Sequence, residues 1–250
     1  MGAQASGVVA MRPVFVVQHE PSVPPGSIAA VLADSGVEHH VIEAWRETEW
    51  PRAEEIGALV VMGGTMNVDE LDAYPFLRKS RSLMDAALAG DVPTLGVCLG
   101  SQMMARVLGG DVYRAHPRNA LFSTLELSED ASGDPLVAGF GSGTEVLQFH
   151  EDTFTIPDGA TPLALSAASG LHQAFRYGER AYAVQFHFEV DEEIVRGWCR
   201  NIGAEPLAAE WGTTERHLVD DAHDRYRAQE QAGRRLFSNF LEIATPATRV

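Results

Sequence analysis

Apolar positions along this chain fall into two kinds of run. Up to Gly110, short unbroken runs rich in β-branched residues alternate with longer ones in which apolar side chains recur every three or four positions. Residues 13–18 (PVFVVQ), 56–62 (IGALVVM) and 94–97 are of the first kind and predict buried strands, and 39–42 (HHVI) reads as a further strand. Residues 28–32, 76–89 and 99–108 are of the second kind and predict helices, closed by Ser35-Gly36, Gly90-Asp91 and Gly109-Gly110. Strands that are apolar throughout and alternate with helices imply a mostly parallel sheet covered on both faces, an α/β architecture.

From about residue 111 to 186 the pattern changes. The runs ALFSTLELS, TEVLQFH, PLALSA, LHQAFRY and AYAVQFH are short and β-like, and predict extra antiparallel strands added to the sheet. From Glu192 onward the chain reads as helical. Leu218, Ala222, Tyr226, Leu236, Phe237, Phe240 and Leu241 mark the apolar side of a long C-terminal helix. The expected organisation is a loose tail over 1–11, one α/β domain over 12–191, and a helical extension over 192–250 packed on the same core.

Composition fits a globular chain, with 45% hydrophobic and 22% charged residues. No segment approaches the ~20 uninterrupted apolar residues of a membrane span, and the first residues lack the pattern of a secretory signal. The formal net charge of -16 disfavours nucleic acid and anionic membrane surfaces as partners and favours solubility. Two cysteines, Cys98 and Cys199, make no disulfide scaffold, and a reducing, cytoplasmic setting is expected. Neither a Walker A motif nor a Rossmann glycine fingerprint is present, and the histidines show no metal-ligand spacing, so no cofactor and no metal are expected.

Cys98 directly follows a predicted strand, precedes a predicted helix, and lies between Gly96 and Gly100. This G-x-C-x-G arrangement is the cysteine counterpart of the G-x-S-x-G nucleophile elbow, in which a strained turn exposes the nucleophile at a helix N-terminus. The same pattern also suits a small apolar residue in a tight turn. A cysteine nucleophile needs a base and a group to orient it. His187 and Glu189 lie two apart at the end of an apolar strand, where their side chains share a face. An oxyanion site needs backbone donors, and Gly63-Gly64 ends the third strand at the same carboxyl edge of the sheet.

GGT at 63–65, GVCLGSQ at 96–102 and QFHFE at 185–189 together resemble the class I glutamine amidotransferases, over about residues 13–190. DELDAYPFL and HEDTFTIPDGATPLALS are similar to the free-standing members that look like the glutaminase domain of GMP synthase. The resemblance implies a flavodoxin-like fold and a triad of Cys98, His187 and Glu189. It implies oxyanion donors at the amides of Gly64 and Leu99 and a substrate contact at Gln102. His150 reads either as a substrate contact or as a structural histidine. The implied reaction is hydrolysis of the side-chain amide of glutamine through a thioester, with ammonia passed to a synthetase subunit or another acceptor enzyme.

Three positions depart from the family pattern. Thr65 stands where the family usually has proline, which predicts a more mobile oxyanion loop. Phe188 replaces the proline of Q-F-H-P-E, read as a neutral change. Glu151 replaces the glycine of H-G-D and brings a negative charge near the expected site of the glutamine α-groups. That last change leaves a γ-glutamyl peptide or amine as an alternative substrate. An idle scaffold or regulatory subunit is the reading from a different class, and the intact Cys-His-Glu set argues against it.

Overall fold

The computed structural model describes residues 12–141 and 143–245. The expected tail at 1–11 lies outside the described residues. A nine-stranded sheet runs through the protein: β1 (Val14–Gln18), β2 (His39–Glu43), β3 (Ala58–Val61), β4 (Thr94–Val97), β5 (Val112–Leu127), β6 (Glu145–Phe154), β7 (Ala160–Ser166), β8 (His172–Tyr177) and β9 (Ala181–Val184), in the order β2-β1-β3-β4-β9-β8-β7-β5-β6.

The helices are α1 (Ser27–Ser35), α2 (Phe76–Ala89), α3 (Leu99–Val107), α4 (Glu192–Ile202), α5 (Ala204–Trp211) and α6 (Glu215–Ala244). They cover the sheet on both faces, as the alternation predicts. The sheet is more mixed than the mostly parallel one expected. Strands β2, β1, β3, β4 and β9 pair parallel, and β8, β7, β5 and β6 continue it entirely by antiparallel pairing. Of the five runs expected to add antiparallel strands, AYAVQFH instead supplies β9, which pairs parallel with β4 and antiparallel with β8; the other four form the antiparallel part, in which β5 is longer than its apolar run. It begins at Val112, and its first half, VYRAHPRN, pairs with β6 around a register shift between Arg114 and Asn119.

Side-chain alternation assigns the two cores. Val14, Val16, Ala58, Val60, Leu95 and Val97 point to one face, where they meet Ile28 and Leu32 of α1 and Leu236, Phe237 and Phe240 of α6. Val17, Leu59 and Val61 point to the other, against Leu77 and Met84 of α2 and Met103 and Met104 of α3. A third cluster joins β5 and β6 to α4, α5 and the first half of α6 through Phe122, Leu147, Val195, Trp198, Leu207 and Leu218.

The C-terminal region is three helices. Asp191 caps α4, its side chain accepting from the Ile194 N–H, and Thr214 caps α6 through the His217 N–H. Tyr226, assigned to the apolar side of α6, is exposed. The buried stripe steps from Ala222 to Gln229 as the helix passes from one cluster to the next, and Tyr226 lies beside it.

The parallel strands all end at one edge. The residues after β1, β3, β4 and β9 are His19-Glu20, Met62-Gly63-Gly64, Cys98 and Gln185–Glu189, so each sequence motif arrives at the same place.

Candidate active site

Cys98 joins β4 to α3 with φ 50°, one of two described non-glycine residues in the left-handed region. Such a conformation costs of order 1–3 kcal/mol and persists only where the surroundings enforce it. Here the enforcement is visible. A Cβ on Gly96 would stand 2.4 Å from the Gly100 carbonyl oxygen, and a Cβ on Gly100 would stand 2.0 Å from that of Val61. Both positions are closed to any side chain. The Cys98 N–H continues the ladder to Val184 O at 2.9 Å, and its carbonyl accepts from the amides of Ser101 and Gln102. The first amides of α3, starting at Leu99, have no partner within the helix and face the turn.

His187 follows β9 and is buried beside Cys98. A Cβ on Gly63 would lie 3.3 Å from His187 Cε1 and 3.4 Å from Cys98 Cβ, so the glycine is wedged against both. His187 Nδ1 is 2.7 Å from Glu189 Oε1. Glu189 Oε2 accepts the Phe188 N–H at 2.9 Å. Burial alone would lower the His187 pKa, but the charges of Glu189 and Cys98 and hydrogen bonds to both outweigh it and push the value up to about 10. The imidazolium is the favoured form, with Nδ1 on Glu189 and Nε2 left for the cysteine.

The Gly63-Gly64 loop is braced from below by His19, which belongs to none of the sequence motifs. His19 Nδ1 lies 3.1 Å from Met62 O and 3.3 Å from Gly63 O, and Nε2 lies 3.1 Å from Ser80 Oγ. Burial pulls its pKa down to about 4, so the ring is neutral. Carbonyls only accept, so Nδ1 carries the proton and the Ser80 hydroxyl donates to Nε2. A Cβ on Gly64 would meet Leu99 Cδ2 at 2.8 Å, which puts the two expected oxyanion residues side by side. Thr65 donates its N–H to Glu20 Oε1 at 2.6 Å. The loop expected to be mobile for want of a proline has a tether that proline could not form.

Gly64, Cys98, Gln102, His150 and His187 line one cleft of about 340 Å³, with Leu99 and Glu189 behind its wall. Gln102 Nε2 donates to Asp152 O at 3.0 Å and to Gln185 Oε1 at 3.2 Å. His150 Nδ1 lies 3.0 Å from the same Asp152 oxygen. Burial lowers the His150 pKa to about 4 against that hydrogen bond, with the charge of His187 adding to the fall. Its Nε2, deprotonated and buried, has no partner.

The outer cleft holds residues that sequence patterns did not reveal. Glu151 pairs with Arg114 and, at 3.5 Å, with Arg118. Arg114 also reaches Asp152 at 3.2 Å, and Arg118 pairs with Glu210 on α5 and lies over the Trp211 ring. The charge of Glu151 is therefore matched by arginines from β5. Trp198 of α4 and Trp211 of α5 complete the wall. The charged residues of β5 lie in a strand too polar for a periodicity argument to find, and the tryptophans lie beyond every motif. Among the described residues, no group of three or more His, Cys, Asp or Glu side chains is arranged to hold a metal ion. No described helix is long and apolar enough to cross a membrane.

Residues 26–194 match the family model for "Glutamine amidotransferase class-I". The chain belongs to this family. Among its relatives, the "Putative glutamine amidotransferase-like protein YfeJ" of Salmonella typhimurium is 33% identical over 150 residues, covering 59% of the chain and 62% of that protein. The "GMP synthase [glutamine-hydrolyzing]" of Rhodopseudomonas palustris is 30% identical over 183 residues, covering 71% of the chain but 32% of the synthase. The chain thus spans under two thirds of each of these relatives. A crystal structure of a glutamine amidotransferase from Thermotoga maritima superposes with a TM-score of 0.81 at 27% identity, covering 93% of this chain and 99% of that one.

Proposed function

We propose that this amidotransferase hydrolyses the side-chain amide of glutamine to glutamate and ammonia. The observation that carries the reading is the Cys98–His187–Glu189 set: a cysteine held in a left-handed strand-to-helix turn, against a buried imidazolium whose far nitrogen is 2.7 Å from a buried carboxylate. Cys98 Sγ, as thiolate, attacks the γ-amide carbon, and the amides of Gly64 and Leu99 receive the developing oxyanion. The C–N bond breaks as His187 Nε2–H protonates the leaving nitrogen, which departs as ammonia. Water, giving its proton to His187, attacks the thioester. The C–S bond then breaks, releasing glutamate and the thiolate, and the proton on His187 restores the starting state. Glu189 orients His187 throughout. Gln102 and the neutral His150, whose unpartnered Nε2 can accept an N–H, are the substrate contacts.

The ammonia goes to a synthetase subunit or other acceptor enzyme, a reading supported by the glutamine-hydrolysing synthase among the relatives. Two unpaired cysteines, one of them the nucleophile, support a reducing, cytoplasmic setting. A second reading, a γ-glutamyl peptide or amine hydrolase, is favoured by one observation: the cleft continues past Cys98 to Arg118, Glu210 and Trp211. Incubation with glutamine and with a panel of γ-glutamyl amides decides between the two. Equal amounts of glutamate and ammonia from glutamine support the first. Amine release with glutamine untouched supports the second, and turnover of neither overturns both.

A further inference from the structure

The family match ends at residue 194, yet the segment carrying His187 and Glu189 is gripped by helices beyond it. The grip has three parts. The ring of Trp198, on α4, stands edge-to-face with the His187 imidazole at 4.6 Å between centroids. A Cβ on Gly233 of α6 would stand 2.1 Å from the Phe188 carbonyl oxygen, so α6 lies directly on the backbone between the two functional residues. Gln229 of α6, itself buried, donates from Nε2 to Val190 O at 3.3 Å.

Trp198 is itself fixed. Its indole N–H donates to Ser22 O at 2.7 Å, on the loop after β1, and its ring packs on Phe149 of β6 at 5.5 Å. It is 7% exposed. Glu189 holds the imidazole at Nδ1 and Gly63 closes the side of the ring at Cε1, which leaves the angle about that hydrogen bond to be set by the remaining neighbour. A ring standing against the imidazole sets that angle.

We propose that the C-terminal helices position the base, and that Trp198 is a positioning residue that holds the His187 ring at the angle that aims Nε2 at Cys98. The proposal rests on His187 acting as the base. Catalytic groups displaced by about 1 Å can lose of order 100-fold in rate, which sets the scale of the expected effect.

The test compares Trp198→Ala, Trp198→Phe, His187→Ala and, as a stability control, Val219→Ala. Val219 is buried in the same cluster on α6 but lies outside the cleft. Two readouts are used: ammonia release from the compound the wild type turns over, and the pH dependence of Cys98 alkylation by iodoacetamide. The groups facing His187 that shape this profile are Cys98, Glu189 and His150. Trp198→Ala is expected to lower kcat about 100-fold with KM within about threefold, and to move the alkylation profile toward that of His187→Ala. Trp198→Phe, which keeps a ring against the imidazole, is expected to restore kcat to within about tenfold of wild type. Val219→Ala should lose stability and leave both readouts in place. If Val219→Ala shifts the profile as far as Trp198→Ala, or if Trp198→Ala keeps the wild-type profile and kcat, the positioning role is overturned. Full activity in His187→Ala would instead overturn the assignment of the base.

Discussion

The Phe188 N–H donates to Glu189 Oε2 at 2.9 Å, while Oε1 of the same carboxylate faces His187 Nδ1. The backbone thus fixes the group that fixes the imidazole. The proline common in the family pattern has no N–H to give. Phe188→Pro is therefore expected to lower kcat about tenfold with little change in KM, because orientation is lost without any substrate contact. Phe188→Ala keeps the N–H and should instead show its effect as lost stability, about 3–5 kcal/mol for a buried aromatic. Steady-state kinetics and urea unfolding separate the two.

Thr65 and Glu20 form a parallel case on the other side of the cleft. The Thr65 N–H and hydroxyl reach the two carboxylate oxygens of Glu20 at 2.6 and 3.3 Å, and Ser22 Oγ donates to the same carboxylate at 3.0 Å. Glu20→Ala is expected to cost about 1 kcal/mol of stability and to lower kcat several-fold by freeing the Gly64 amide. Thr65→Ala, which keeps the N–H, should match wild type within about twofold in kcat. Equal losses in the two variants would contradict the tether.

Gly100 and Gly96 admit no side chain. A Cβ at Gly100 would stand only 2.0 Å from Val61 O, so the backbone must shift to accept even a methyl group. Gly100→Ala is expected to destabilise the fold by about 3 kcal/mol or more and to abolish selective alkylation of Cys98. Gly141, where an added Cβ meets nothing within 4 Å, serves as the control, and Gly141→Ala should be close to neutral.

Stability should peak near neutral pH, for opposite reasons on its two sides. His19 and His150 are buried neutral, with pKa values lowered from 6.5 to about 4. Between those values the unfolded chain binds protons that the folded chain does not, so stability falls as pH drops from 6.5 to about 4, by up to about 3 kcal/mol per histidine. His187, raised to about 10, works the other way: its contribution is full below 6.5 and is lost as pH rises toward 10. Urea midpoints at about pH 5, 6.5 and 9 should show the maximum in the middle. A flat profile would contradict the buried charge states.

The parallel half of the fold was legible because strands such as β3 and β4 are buried along their whole length, and unbroken apolar runs such as ALVV between turn glycines have few other readings. That the expected site residues would meet at one edge was legible because turn signals and motif positions are local, and parallel strands bring their ends together. The rest depended on contacts between distant segments. The first half of β5 carries Arg114 and Arg118, whose charges are matched by Glu151, Asp152 and Glu210 from elsewhere in the chain. His19 became a brace only once α2 placed Ser80 against it. Trp198 reads as an ordinary helix residue until α4 is docked. Nor could the sequence show that Thr65 and Phe188 supply hydrogen bonds in place of proline, because both acceptors are side chains whose direction is set by the fold.

Cys98 is expected to form a covalent γ-glutamyl adduct assisted by His187. The most direct measurement is mass spectrometry of the protein after exposure to a diazoketone analogue of glutamine, with wild type, Cys98→Ala and His187→Ala side by side. One adduct is expected in the wild type, on the peptide carrying Cys98, with none in Cys98→Ala and much slower labelling in His187→Ala. An adduct on Cys199 in place of Cys98, or ammonia release that survives in Cys98→Ala, would contradict the claim.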